Sequence, residues 1–203
     1  MKGGYIYTIA FMLAITIVLT GALALANSGF APRIESNAAL AEKRALLDAF
    51  GLEVTGIQAT DEAVFAQNLR QATNSRGQDL FARIDSAGEI TGLAAPFAGS
   101  GLWGEIHGYI AYAPDGGQIL GIVFTKQNET PGLGGRIDEA AFRDQFRGLM
   151  IIPGLPVSYG DPAYEGIDAI SGATSSSRAV ITILNQFIEE TIPGSSDGLE
   201  VIP

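Results

Sequence analysis

The stretch from Tyr5 to Ala26, YIYTIAFMLAITIVLTGALALA, is predominantly apolar and carries no charge. At ~1.5 Å per residue such a run crosses a ~30 Å hydrocarbon core as a helix. Ala24-Leu25-Ala26 has the small-residue look of a signal-peptide cleavage site, but the run exceeds the usual ~7–15 residue signal core, and its length favours a retained anchor. The pattern divides the chain into an anchor over residues 1–27 and one domain over residues 28–203. Lys2 and the amino terminus precede the span, whereas Arg33 and Glu35 balance each other beyond it. The positive-inside tendency then puts the N-terminus in the cytoplasm and the domain outside, on the periplasmic face of a bacterial inner membrane.

Beyond the anchor the periodicity changes several times. NAALAEKRALLDAF (37–50) reads as a helix, with Ser36 or Asn37 as N-cap and Gly51 just past its end. A second helix is expected over Asp61 to Ala72, with Val64, Phe65 and Leu69 near one face. Strand chemistry follows. LFARIDSAGEITGLAAPF partly alternates apolar and polar residues around Ser86-Ala87-Gly88, and EIHGYIAYA faces QILGIVFTK across Pro114-Asp115-Gly116-Gly117, a hairpin signal. Gly101-Leu102-Trp103 is expected at the start of a strand. Asp138 opens a short helix that ends at Gly148, with Phe142 and Phe146 four apart. Val180, Ile183, Leu184, Phe187 and Ile188 then make one face of a final helix that Pro193 stops. This order predicts an α+β domain with an antiparallel sheet and flanking helices behind a single transmembrane helix.

Composition narrows the chemistry. The 203 residues include no cysteine and one histidine, His107. Disulfides, iron–sulfur ligation, thiolate zinc sites and a cysteine nucleophile are therefore excluded, as is a metal site built from several histidines. Any redox work points to an organic cofactor. A net charge of −10 argues against nucleic acid, whose phosphates need basic patches. His107 lies inside a strand pattern, which gives a hydrolase triad little support.

Two segments carry candidate chemistry. Asp168-Ala-Ile-Ser171-Gly172-Ala173-Thr174-Ser175 lies where a loop turns into the last helix. First-turn N–H groups have no partner within a helix and sit at the positive end of its dipole, so a phosphate there gains several donors. An ordinary serine or threonine N-cap would look the same, and both readings stand. In the second segment, Glu129-Thr130-Pro131-Gly132-Leu133-Gly134-Gly135, three glycines around one leucine let backbone approach a flat group while an apolar side chain touches its face. A plain turn between strand and helix reads equally well.

Together with the Gly-Leu-Trp segment, these residues resemble the FMN-binding domain shared by the C component of the sodium-translocating NADH:quinone oxidoreductase and the G component of the Rnf electron-transport complex. Asp168-Ala-Ile-Ser171-Gly172-Ala173-Thr174 matches the pattern Asp-x-x-Ser/Thr-Gly-Ala-Thr at every specified position. The resemblance implies that Thr174 carries flavin mononucleotide (FMN) as a phosphoester, with Ser171, Gly172, Ala173 and Ser175 about the phosphate. It also implies that Glu129, Thr130, Gly132, Leu133 and Gly134 lie beside the isoalloxazine with Trp103.

The implied role is that of an electron-transfer subunit in a membrane complex coupled to ion transport, in which the cofactor does the redox chemistry and the chain itself makes no bonds in steady state. Other membrane subunits are its expected partners. A separate FAD-dependent transferase is expected to attach the flavin, with Asp168 read either by that enzyme or as a turn residue of the loop. The competing reading from another class is an anchored assembly subunit that never acquires flavin.

Overall fold

The computed structural model describes residues 3–164 and 166–202; Lys2, on which the orientation expectation partly rests, lies outside them. Contacts divide the chain into two compact units, Met1–Leu40 and Ala41–Pro203.

In the first unit, helix α1 begins at Gly3, and as an element it runs without a break to Ala49. Its side chains from Tyr5 to Leu25 are exposed, and the helix is long and apolar enough to cross a membrane. The separate helix expected over residues 37–50 is instead the last part of α1, which passes through Pro32. Ser36 does not cap it, because its hydroxyl bonds back to the Arg33 carbonyl at 3.1 Å inside the helix. Gly51 ends it with φ +69°, the left-handed conformation that suits glycine at this position.

The second unit is built on a six-stranded antiparallel sheet in the order β5-β4-β3-β2-β1-β6. Its strands are β1 (Leu69–Thr73), β2 (Asp79–Ile84), β3 (Ile90–Ser100), β4 (Glu105–Tyr112), β5 (Ile119–Lys126) and β6 (Glu200–Val201). The 86–88 turn and the 114–117 turn both close hairpins as their residues predict, β2–β3 and β4–β5. The second expected helix is shorter, α2 at Gln58–Asn68. Leu69–Thr73 leaves it to pair with β2, from Leu69↔Arg83 to Thr73↔Asp79, so ladder hydrogen bonds override the helical period there. Gly101-Leu102-Trp103 forms the tight turn between β3 and β4 rather than the start of a strand, closed by Gly101 N–H to the Gly104 carbonyl at 2.7 Å.

Both faces of the sheet are covered. Helix α4 (Thr174–Glu190) puts Val180, Ile183, Leu184 and Phe187 into one core with Leu80, Leu93, Phe97, Ile106 and Ile110. Leu46, Leu47 and Phe50 pack the opposite face with Leu69, Ala94, Ala111 and Val123. Alternating β3 residues thus serve opposite cores, Leu93 one and Ala94 the other, as the pleat requires. The short helix expected from Asp138 is broken into a 3-10 turn at Gly134–Asp138, α3 at Ala140–Arg143 and a second 3-10 turn at Asp144–Phe146. Phe142 and Phe146 still meet edge to face, with centroids 5.4 Å apart.

Candidate functional site

The strongest candidate site lies where three connections converge: the β3–β4 turn, the loop after β5 and the start of α4. They enclose a cavity of about 460 Å³, within the range of small-molecule sites. Thr174 and Ser175 line it from the first turn of α4, preceded by Gly172 and Ala173. Thr130, Leu133 and Gly134 line it from the glycine loop, and Leu102 and Trp103 from the turn.

Helix α4 is set up locally to leave its N-terminus open. Ala173 stands at the N-cap position with φ −130° and ψ 36°, and no side chain caps the helix. Gly172 has φ +79°, and a Cβ there would lie 3.8 Å from Leu133 Cδ2. The loop before it is pinned by buried Ser177, whose Oγ accepts from Ile170 N–H at 3.0 Å and donates to the Ala173 carbonyl at 3.1 Å. Of the two readings of SGATSS, the capping one loses its geometric basis. Thr174 and Ser175 remain exposed at the positive end of the helix dipole.

The glycine loop folds on itself through the Thr130 carbonyl, which accepts from Leu133 N–H at 3.1 Å and Gly135 N–H at 3.0 Å. This leaves Leu133 49% exposed, and Trp103 across the site is 68% exposed. Two large apolar side chains held in solvent at a cavity mouth are suited to a ligand with an apolar face.

Glu129 also lines the cavity, although it is only 4% exposed. Its Oε1 accepts from the N–H groups of Leu102 at 2.8 Å and Trp103 at 3.0 Å, and its Oε2 accepts a short hydrogen bond from the Ser176 hydroxyl. Ser176 and Leu102 line the cavity as well, and no local pattern announces their link to Glu129, which joins positions 47 and 27 apart in the chain.

Three expected residues lie apart from the cavity wall. Gly132, with φ +74° and open space around its Cβ direction, shapes the loop. Asp168 and Ser171 line a second cleft of about 240 Å³ together with Arg136 and Gln145, where Asp168 N–H donates to Gln145 Oε1 at 2.6 Å. His107 Nε2 sits 3.2 Å from the carboxylate of Glu105, two residues away on the same strand, and neither residue lines the main cavity.

Comparison with known proteins places this arrangement. A family model described as the FMN-binding domain matches residues 101–189, which include all three converging segments. Curated relatives include the C component of the Na(+)-translocating NADH-quinone reductase of Pasteurella multocida, 36% identical over 135 residues, covering 63% of this chain and 50% of the relative. The protein of the same description from Chlamydia pneumoniae is 31% identical over 140 residues, covering 58% and 43%. The chain thus spans about half the length of the curated relatives it matches.

Among solved structures, Shewanella oneidensis NqrC aligns with a TM-score of 0.62 over 76% of this chain and 93% of that one, at 21% identity. The C component of the Na(+)-translocating NADH-quinone reductase from Parabacteroides distasonis aligns with a TM-score of 0.57 over 74% and 89%, at 22% identity. These likenesses establish the fold. Residues 101–189, which supply all three walls of the cavity, match the FMN-binding domain family, and the chain is similar to the NqrC components of Na(+)-translocating NADH-quinone reductases.

Proposed function

We propose that this chain is a membrane-anchored electron-transfer subunit that carries FMN covalently, as a phosphoester on Thr174. The observation that carries the reading is the uncapped start of α4, which opens with Thr174 exposed into the cavity shared with the glycine loop and the Trp103 turn. The residues present fit the cofactor. Unpartnered first-turn N–H groups and the hydroxyls of Thr174 and Ser175 suit a phosphate, while Leu133, Leu102 and Trp103 offer apolar surface to a ring.

FMN bound there would supply one- and two-electron redox chemistry. The chain's own part is to hold, orient and shield. Thr174 would fix the phosphate end at the positive pole of α4, and Leu133 and Trp103 would cover the ring. The backbone of the Gly132–Gly134 loop and the hydroxyl of Thr130 would tune its electrostatics. Attachment requires the Thr174 Oγ to bond to the FMN phosphorus of FAD. The pyrophosphate bond breaks, AMP leaves and the hydroxyl proton is released. No general base adjoins the Thr174 hydroxyl among the described hydrogen bonds, which supports a separate transferase. Asp168 and Ser171, exposed on the neighbouring cleft, are available to such a partner.

Residues 1–27 would anchor the domain, with residues 28–203 on the periplasmic side and the electron donor and acceptor supplied by other subunits of an NADH-quinone-reductase-like or Rnf-like complex. The test is the intact mass of the full chain, expressed with a flavin transferase, beside Thr174→Ala. The native chain should gain the mass of FMN less one water and stay fluorescent after denaturation, whereas the variant should show neither. A colourless native chain of unmodified mass would leave the assembly-subunit reading in its place.

A further inference from the structure

We infer that Glu129 and Ser176 form a buried brace that sets the shape of the cavity before any ligand enters, and that Glu129 acts as a positioning residue rather than a ligand contact. Among the described residues its carboxylate ties all three walls together. Oε1 holds the Leu102 and Trp103 amides of the β3–β4 turn, Oε2 holds the Ser176 hydroxyl of α4, and the residue itself begins the glycine loop. Its own N–H is held by Gln127 Oε1 at 2.6 Å, and Gln127 in turn donates to Asp138 Oδ2 at 2.9 Å. Glu129 is therefore held at its backbone as well as at its carboxylate.

Two further observations show that the surroundings are shaped around it. A Cβ on Gly101 would stand 2.6 Å from Glu129 Oε1, and one on Gly134 would stand 2.3 Å from Ser176 Oγ and 2.8 Å from Glu129 Oε2. Both glycines leave room for the brace. The side chains it positions are not held by burial, since Leu102 is 55% and Trp103 68% exposed. Their place at the cavity mouth depends on backbone hydrogen bonds to a charged acceptor, which are among the stronger kind.

The consequence for FMN rests on the function proposed above, but the brace can be tested without flavin. Hydrogen–deuterium exchange by mass spectrometry on the flavin-free full chain in detergent reads the Leu102–Trp103 amides directly. Quenching of fluorescence from Trp103, the only tryptophan, reads the same turn. In Glu129→Ala these amides should lose protection by roughly tenfold to a hundredfold, while core β4 amides such as Ile110 keep theirs. Glu129→Gln, which can still accept from both amides and donate to Ser176, should restore most of the protection.

Should Glu129→Ala fail to fold, Ser176→Ala decides the matter. Loss of one tie should loosen the 102–103 amides and raise Trp103 quenching. Unchanged protection in the variants, or a loss no larger at 102–103 than at Ile110, overturns the brace. A native chain that never gains flavin mass overturns the cofactor reading alone. In the flavinylated chain, Glu129→Ala should shift the flavin potential, and Glu129→Gln should shift it in the same direction by less.

Discussion

The backbone N–H of Ile170 donates to Ser177 Oγ at 3.0 Å, tying the loop before the Thr174 helix to that helix's own first turn. The same hydroxyl donates to the Ala173 carbonyl, and the Ser177 carbonyl accepts from the Tyr159 hydroxyl at 2.8 Å. Ser177 is fully buried, so Ser177→Ala removes the partner of the Ile170 amide at a buried position. We expect a stability loss of about 1–3 kcal/mol, read as a lower urea midpoint. On the proposed function, a lower yield of flavinylated chain should accompany it, because the loop before Thr174 loosens.

Gly134 and Gly135 are neighbours with different tolerances. A Cβ on Gly134 would strike Ser176 and Glu129, whereas on Gly135 the nearest atom is the Thr130 carbonyl at 3.3 Å. Gly134→Ala should lower stability by roughly 1–3 kcal/mol through overpacking. Gly135→Ala should stay close to the native midpoint. Paired denaturation curves check this, and equal effects would refute the packing argument.

How far the fold is legible depends on how local each signal is. The β4–β5 hairpin and the apolar face of α4 announce themselves within a dozen residues, and both stand as read. Residues 69–73 read as helix because their apolar spacing suits either structure, and pairing with β2 decides for strand. β6 is two residues long and forms only against β1, so nothing in its own sequence marks it. At the site, Thr174, Leu133 and Trp103 are visible because glycine and hydroxyl patterns surround them. The brace is not, since a buried carboxylate looks like any other glutamate until its partners 26 and 47 residues away are known.

Asp61 links α2 to the end of α1 and should make the domain acid-sensitive. It is fully buried, and burial alone would raise its pKa. The Thr55 hydroxyl at 2.8 Å, the Arg44 guanidinium at 2.6 Å and the Thr55 N–H at 2.9 Å outweigh that and hold it below the ordinary 3.8. A carboxyl whose folded pKa is depressed contributes stability above its unfolded pKa, and that contribution disappears as pH falls through the folded value. Asp61→Asn should therefore lower the urea midpoint at pH 7, and its deficit should shrink below about pH 4. A deficit independent of pH would contradict the charge-based account.

Leu133 approaches the start of α4 from the loop, and its exposed face borders the cavity. On the proposed function, Leu133→Asp places a negative charge beside the flavin and removes apolar cover. The flavin potential should fall, because added negative charge disfavours the reduced, more anionic form. Potentiometric titration of flavinylated chain measures this. An unmoved potential would remove Leu133 from the ring's surroundings while leaving attachment at Thr174 intact.

Gly99 and Ile183 set how closely α4 approaches the sheet. A Cβ on Gly99 would lie 2.4 Å from Ile183 Cγ1 and 2.9 Å from its Cδ1, and Ile183 is almost fully buried in the core that carries α4. Gly99→Ala must therefore push the helix outward or force Ile183 off its rotamer, at a cost of roughly 1–3 kcal/mol. Ile183→Ala alone should cost about 2–5 kcal/mol through the cavity it leaves. Made together, the two should cost less than their sum, because the new methyl occupies part of that cavity, with a coupling of about 0.5–3 kcal/mol. Since α4 also carries Thr174 at its first position, on the proposed function Gly99→Ala alone should reduce flavinylation and the second substitution should restore part of it. Strict additivity in stability would mean that the helix does not rest on this contact.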